Sequence, residues 1–169
     1  MTRRIRGGLH LEPPPGQPFG RTMQRGGFAM SLVSPDRIPQ VAVTFMNEDH
    51  REEAMRLNDL ADAVKGHRAG KVPVETVLHR FEALFQHTQE HFAREEAAMR
   101  EAGFPPFPVH KAEHDRVVEE MESEETHFRE TGDTARLWQY VSQAIPAWFV
   151  SHIESMDQVT AGFIAARRP

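Results

Sequence analysis

Histidine and carboxylate side chains recur at helical spacing in the middle of the chain. His91 and Glu95 lie four residues apart, and so do His110 and His114. Because four residues of an α-helix turn through about 400°, each pair projects from one face of its helix. Gly103 and the prolines after it predict a helix end, a turn and a second, antiparallel helix. Imidazole and carboxylate groups on facing helices are typical of a metal site inside a bundle.

Further candidate ligands lie on both sides of this segment. His50 precedes it, and His152 and Asp157 follow it. The last two are five residues apart, about 140° around an ideal helix, so a local turn of π type is needed to bring them to one side. The complete set contains five histidines and two carboxylates on four helices: His50, His91, Glu95, His110, His114, His152 and Asp157. Such polar groups are costly to bury in an apolar bundle without a metal, which favours a metal site over ordinary core packing.

Four amphipathic segments supply the helices that must position these groups. The hydrophobic periodicity predicts helices near residues 48–65, 73–102, 108–130 and 134–166. Pro146 lies inside the last helix and predicts a kink or a break there. The apolar residues 41–45 are expected to lie as an extended arm across the bundle. The expected fold class is all-α, an up-down-up-down antiparallel four-helix bundle with an N-terminal arm.

The composition divides the chain and excludes several classes of protein. Residues 1–37 carry scattered Arg, Gly and Pro and predict a flexible extension, whereas residues 38–169 form the predicted bundle domain. The absence of cysteine excludes disulfides and thiolate metal sites. The net charge of −5 argues against a nucleic-acid partner. The sequence has no apolar run of membrane-spanning length and no recognisable export signal, so we expect no membrane association and a cytoplasmic location.

The candidate ligands and their surroundings resemble the hemerythrin family, and more closely the bacterial stand-alone hemerythrins. The resemblance covers about residues 38–163 and begins with the ordered set of ligands. It also includes the sequence HFAREEAAM from His91 to Met99, Asn58, and Trp148 four residues before the last histidine. A single pair at this spacing is a weak signal, but the complete ordered set is a strong one.

The resemblance implies a centre of two iron ions joined by an oxo or hydroxo bridge. It assigns three histidines to one iron, two histidines to the other, and both carboxylates to bridging positions: His110, His114 and His152; His50 and His91; Glu95 and Asp157. These ligands and one bridging oxygen leave one position of two octahedral ions open, which suits a small ligand bound end-on. The resemblance also implies a dry apolar pocket around that position, formed by Phe92, Trp148, Phe149 and Ile153. Family members commonly have Leu at position 149, so Phe149 is expected to narrow or reshape the pocket.

The leading hypothesis for function is a non-enzymatic di-iron protein that binds O2 reversibly, for oxygen storage, delivery or sensing. A carboxylate-poor ligand set gives little support to high-valent iron, and no general acid or base stands out near the open position. Two alternatives remain, namely a redox enzyme that acts on peroxide or nitric oxide at the same centre, and an iron-storage protein. The sequence does not identify a redox or delivery partner.

Overall fold

The computed structural model describes residues 32–167, and this part of the chain is helical, with no β-strand. The first three helices are α1 (Thr44–Arg68), α2 (Val74–Ala102) and α3 (Phe107–Thr131). A fourth arm contains three α-helical segments joined by two π-helical turns: α4 (Thr134–Gln139), the turn Tyr140–Ala144, α5 (Ile145–His152), the turn Ile153–Asp157 and α6 (Gln158–Ala165). Short loops join successive arms, so neighbouring arms run antiparallel. The predicted four-helix bundle is confirmed.

The N-terminus of α1 differs from the sequence prediction. The helix begins at Thr44, earlier than expected, so only part of the predicted extended arm is extended. Val43 has extended backbone angles and, like Val41, a buried side chain. The Asn47 side chain accepts a hydrogen bond from the Val41 amide at 2.8 Å and donates one to the Val41 carbonyl at 2.9 Å. These bonds fold the chain back onto the first turn of α1. This helical turn therefore forms although the β-branched residues at the start of the helix would by themselves favour a strand.

The segment before α1 packs against the bundle. Val33 and Ile38 are buried, and the Asn58 amide group donates to the Val33 carbonyl at 2.7 Å and accepts from the Val33 amide at 3.2 Å. Of the predicted flexible extension, residues 1–31 lie outside the described residues. The division of the chain at residues 37 and 38 therefore stays a prediction.

Pro146 is accommodated within a continuous fourth arm. The residues that flank it keep right-handed helical backbone angles. The π-helical turn Tyr140–Ala144 ends just before α5, which carries Pro146 in its first turn. Proline cannot donate a backbone hydrogen bond and crowds the preceding turn of an α-helix. The wider turn relieves this conflict, so the expected irregularity takes the form of a local π turn and the helical arm is not broken.

Glycine ends two of the helices as the sequence predicts. Gly103 follows α2 with φ 64°, and Gly132 follows α3 with φ 66°. After Gly103 the Phe104 amide donates to the Met99 carbonyl at 2.9 Å, which reverses the chain towards α3. This reversal places the two ligand pairs of α2 and α3 on adjacent helices.

We predict opposite effects of alanine at two glycines that both have open space around the added Cβ atom. Gly103→Ala should lower the free energy of unfolding by about 1–2 kcal/mol, because its left-handed backbone disfavours a Cβ atom. Gly162→Ala should raise the free energy of unfolding by about 0.5–1 kcal/mol, because Gly162 occupies an exposed helical position in α6, where alanine is more favourable than glycine. Urea unfolding followed by circular dichroism measures both. Equal effects of the two substitutions would contradict this account of the α2 terminus.

Candidate metal centre

The four arms bring the seven predicted ligand residues together in the interior of the bundle. α1 contributes one of them, α2 and α3 contribute two each, and the fourth arm contributes the last two. None exposes more than 4% of its surface: His50, His91, Glu95, His110, His114, His152 and Asp157. Their nitrogen and oxygen atoms form two groups that share Glu95, and within each group one atom of every residue lies within 4.8 Å of the others. The seven side chains thus lie close together, and their role as metal ligands stays a prediction.

Three histidines direct the same ring nitrogen to one point. The Nε2 atom of His152 lies 3.1 Å from that of His110 and 3.2 Å from that of His114. Nitrogen lone pairs at such distances repel one another unless a proton or a metal ion lies between them. We call this group the three-histidine cluster. On its far side, His110 Nδ1 lies 2.9 Å from the Thr160 hydroxyl, which fixes the orientation of the ring.

The remaining two histidines form the two-histidine cluster on the other side of the carboxylates. The rings of His50 and His91 meet edge to face with centroids 5.1 Å apart. Glu95 Oε1 lies 3.0 Å from Nε2 of His91 and 3.6 Å from Nε2 of His50. His50, His91 and Glu95 together form the second of the two groups of neighbouring ligand atoms.

Each carboxylate directs one oxygen to each histidine cluster. While Oε1 of Glu95 faces the two-histidine cluster, its Oε2 lies 3.6 Å from His114 Nε2. Asp157 Oδ2 lies 3.2 Å from His50 Nε2, and its Oδ1 lies 3.2 Å from Nε2 of both His110 and His152. Two carboxylates in this arrangement could bridge two cations, one in each cluster.

The unpaired polar atoms of the site fit bound cations. Within residues 32–167, the buried side-chain atoms without a hydrogen-bond partner all belong to four of the candidate ligands: both ring nitrogens of His50, Oε2 of Glu95, Nδ1 of His114 and both oxygens of Asp157. Leaving such groups unpaired inside a protein costs about 1–3 kcal/mol each. Most of them face the space between the clusters, where a cation would satisfy them. Imidazole and carboxylate donors suit iron, zinc and manganese.

The electrostatics keep both carboxylates and His114 in their metal-binding forms. Burial would raise the pKa of Glu95, but the neighbouring His91 and hydrogen bonds from histidines lower it to about 2. Burial would likewise raise the pKa of Asp157, but the surrounding histidine rings, with Nε2 atoms 3.2 Å from its oxygens, hold the pKa well below its ordinary range. Burial lowers the pKa of His114 to about 3, helped by the nearby His110. Ionised carboxylates and a neutral imidazole are the states that bind a metal.

The predicted π turn is present between the last two candidate ligands. Ile153–Asp157 forms this turn, directly after His152 at the end of α5. Its wider circumference carries the five-residue separation once around the helix. His152 Nε2 and Asp157 Oδ1 therefore lie on the same side, 3.2 Å apart, in the three-histidine cluster. The spacing that an ideal α-helix cannot accommodate is thus explained by local backbone structure.

Aromatic side chains surround both clusters. Phe149 lies edge-on to His50 with centroids 6.0 Å apart, and Ile153 is fully buried. Phe92 stacks on His114 at 3.8 Å and lies 5.3 Å from the ring of His91. Trp148 stacks instead on His152 of the three-histidine cluster, with centroids 4.8 Å apart, and its Nε1–H donates to Glu113 at 2.8 Å. A ligand pocket formed by these four residues stays a prediction.

Comparison with known proteins decides the family. The family model of the hemerythrin HHE cation binding domain matches residues 41–164. The chain belongs to the hemerythrin family. It is 36% identical over 121 residues to a bacteriohemerythrin of Ralstonia nicotianae, a match that covers 72% of this chain and 80% of the relative. It is 28% identical over 130 residues to a bacteriohemerythrin of Aquifex aeolicus, covering 77% of this chain and 95% of that one.

Solved hemerythrin structures share the fold. Crystal structures of two hemerythrin mutants, with Leu replaced by Tyr or by Phe, both superpose with a TM-score of 0.64. They are 23% and 24% identical to this chain, and each match covers 80% of this chain and 99% of the hemerythrin. With its buried histidines and carboxylates, the protein is a hemerythrin-type metal-binding protein, for which iron is the typical metal. In the part of the chain that the structure describes, no helix is both long enough and apolar enough to cross a membrane.

Three polar residues that the sequence did not single out support the ligands, two by direct contact and the third through one of those two. Glu53 lies 2.9 Å from His91 Nδ1, Thr88 contacts Glu53, and Thr160 contacts His110. All three are buried. The signal for Glu53 was its position three residues after His50, on the inward face of an otherwise apolar stripe. His87, by contrast, makes no hydrogen bond to a candidate ligand. Its Nε2 lies 3.1 Å from the Asp49 carbonyl oxygen.

We predict that Glu95 controls the acid stability of the metal-free protein. Because the pKa of Glu95 is lowered in the folded state, its contribution to stability is present above about pH 4.5 and is lost as the pH falls towards 2. Glu95→Gln should remove this pH dependence and destabilise the protein near neutral pH by about 3–5 kcal/mol, since buried histidines lose their charged partner.

Urea unfolding at a series of pH values between 2 and 7 measures this effect. Glu101→Gln is the matched control, since Glu101 is an exposed carboxylate near the C-terminus of the same helix. If the two variants had the same pH profile, the assigned role of Glu95 would be wrong.

Proposed function

We propose that the protein binds two iron ions, one in each histidine cluster, and binds O2 reversibly for oxygen storage, delivery or sensing. The observation that carries this proposal is the unequal number of histidines that share the same two carboxylates. With three histidines, two carboxylate oxygens and a bridging oxygen, the three-histidine cluster has enough donors for a six-coordinate ion. The two-histidine cluster has one donor fewer. An open position there suits a small ligand such as O2.

The side chains of the bundle would hold the irons and keep the site dry. Glu95 and Asp157 hold the two positions at a fixed separation, because each carboxylate reaches both clusters. Phe149 and Phe92 lie against the two histidines of the less filled cluster and limit the access of water. When bound, ferrous iron supplies the electrons that a reversible O2 carrier lends to its ligand. Exclusion of water would protect that reversibility, because protons and water promote irreversible oxidation.

Two further observations support an O2-binding protein over an enzyme. Thr160, Thr88 and Glu53, the buried polar residues beside the two clusters, each already have a hydrogen-bond partner. Their contacts hold the histidine rings in place. Relatives with 28% and 36% identity to this chain are named bacteriohemerythrins.

The absorption spectrum tests O2 binding directly. We expect the anaerobically reduced, iron-loaded protein to gain a near-ultraviolet and visible band when air is admitted, and to lose the band when O2 is removed. Iron analysis should give two ions per chain. Rapid irreversible oxidation would instead favour the redox-enzyme alternative. The lack of any iron-dependent band would refute the di-iron assignment.

Two histidines on α2 provide a matched test of the ligand assignment. His91→Ala should abolish the O2-dependent band and lower the iron content below two per chain, because it removes one of only two histidines in its cluster. His87→Ala should change neither quantity, although His87 is also buried and lies one helical turn away. Circular dichroism should verify that both variants are folded. Retention of the band in folded His91→Ala would contradict the assignment.

A further inference from the structure

Glu53 is a buried carboxylate that the proposed ligand set does not use. It lies on α1 and exposes 2% of its surface. Among the described residues, no Lys or Arg side chain forms an ion pair with it, and its one ionic contact is with His91. A carboxylate in such a position costs free energy unless its oxygens receive hydrogen bonds. Its partners should therefore reveal why the bundle contains it.

Both oxygens of Glu53 have defined partners on α2. Oε2 lies 2.9 Å from His91 Nδ1, and the Thr88 hydroxyl lies 3.0 Å from Oε1. Thr88 and His91 are three residues apart, so the two groups lie on the same face of the helix. Thr88 is completely buried, and its hydroxyl also lies 3.0 Å from the Leu84 carbonyl. The carboxylate is thus held between a hydroxyl and an imidazole, with its charge directed to His91.

This contact determines which nitrogen of His91 faces the metal position. With Nδ1–H donating to Glu53, Nε2, which lies 3.0 Å from Glu95 Oε1, is the nitrogen that remains to bind a metal in the two-histidine cluster. A carboxylate behind a histidine ligand fixes its tautomer and increases its basicity. His91 would consequently donate more electron density to a metal than an imidazole with a neutral partner.

The three-histidine cluster provides the internal comparison. There the Nδ1 atom of His110 meets the hydroxyl of Thr160 at 2.9 Å, a neutral group. The three-histidine cluster also has a carboxylate nearby, but Glu96 Oε1 stays 3.7 Å from His114 Nδ1, which has no hydrogen-bond partner. Of the outer carboxylates in the described part of the chain, Glu53 is the one within hydrogen-bond distance of a candidate ligand, and it lies on the cluster with fewer histidines.

We propose that Glu53 is a positioning residue that acts through His91 to stabilise the oxidised state of the metal in the two-histidine cluster. The proposal rests on the proposed function, since it concerns the same iron centre and its O2 ligand. A more electron-rich His91 lowers the reduction potential of the centre. O2 binding draws electron density from reduced iron, so the same effect strengthens the binding of O2.

Reduction potentials of iron-loaded variants test this role. Glu53→Gln keeps both hydrogen-bonding positions but removes the charge, and Glu53→Leu removes both. Glu48→Gln is the control, because Glu48 is an exposed carboxylate on the same helix. Spectroelectrochemical titration should show a higher midpoint potential in Glu53→Gln, with at least a tenfold shift in the oxidised-to-reduced ratio, which is about 59 mV for one electron. Glu48→Gln should match the wild type.

Iron content and O2 titration complete the test. Glu53→Gln should need a higher O2 concentration for half-saturation, and Glu53→Leu should show the larger change in both quantities. Loss of iron from folded Glu53→Gln would also support the role, since outer partners of histidine ligands typically contribute 10–100-fold to metal affinity. Unchanged potential and O2 affinity in both variants would overturn it while leaving the proposed function intact. A wild type that takes up no iron would overturn both.

Discussion

The burial of charged and imidazole groups in an apolar interior is the constraint on which the rest of the structure depends. Atoms of His50, Glu95 and Asp157 lie out of contact with water and without hydrogen-bond partners. Neither backbone nor solvent can compensate for the lost hydration. Cations between the two histidine clusters would do so, and they would also tie the four arms together, because every arm contributes at least one ligand. The stability of the bundle and its chemistry thus depend on the same atoms.

Outer contacts distribute this constraint over the surrounding bundle. Thr160 holds one ring of the three-histidine cluster, and Glu53 holds one ring of the two-histidine cluster. At the edge of the site, Trp148 both covers His152 and bonds to Glu113. Thr160 and Glu53 each come from a helix other than that of the ring they hold, whereas Trp148 lies on α5 with His152 and reaches α3 through Glu113. The positions of the ligands are therefore set by helix packing as much as by the ligands themselves.

Much of the fold and of the site could be predicted from the sequence, because both depend on periodicity. Apolar stripes and the glycines at 103 and 132 determined the helices, and the spacing of histidines and carboxylates indicated which groups would meet. The five-residue separation of His152 and Asp157 even predicted the π turn, since no other local structure puts both on one side. The family comparison agrees with this interpretation.

The remainder depended on contacts between distant segments. The early start of α1 follows from the Asn47 side chain, which bonds to the preceding arm. The inward position of Glu53 was visible in the sequence, but its role was not, because the contact with His91, 38 residues away, appears only in the folded structure. Pro146 predicted an irregularity but not its form, because a kink and a π turn can each accommodate a residue that donates no backbone hydrogen bond.

The π turn at Ile153–Asp157 also has a consequence for how this part of the chain can vary. The turn holds one residue more than an α-helical turn, so removal of one residue would restore an ideal α-helix with the last two ligands four residues apart. Thr160 would then stay beside His110, and the buried side chain of Ile164 would stay in the core, because the extra residue is absorbed within the turn. A deletion in the α-helical segment after the turn would instead rotate the residues that follow by about 100°. The π turn is thus the place in the fourth arm where the length of the chain can change by one residue.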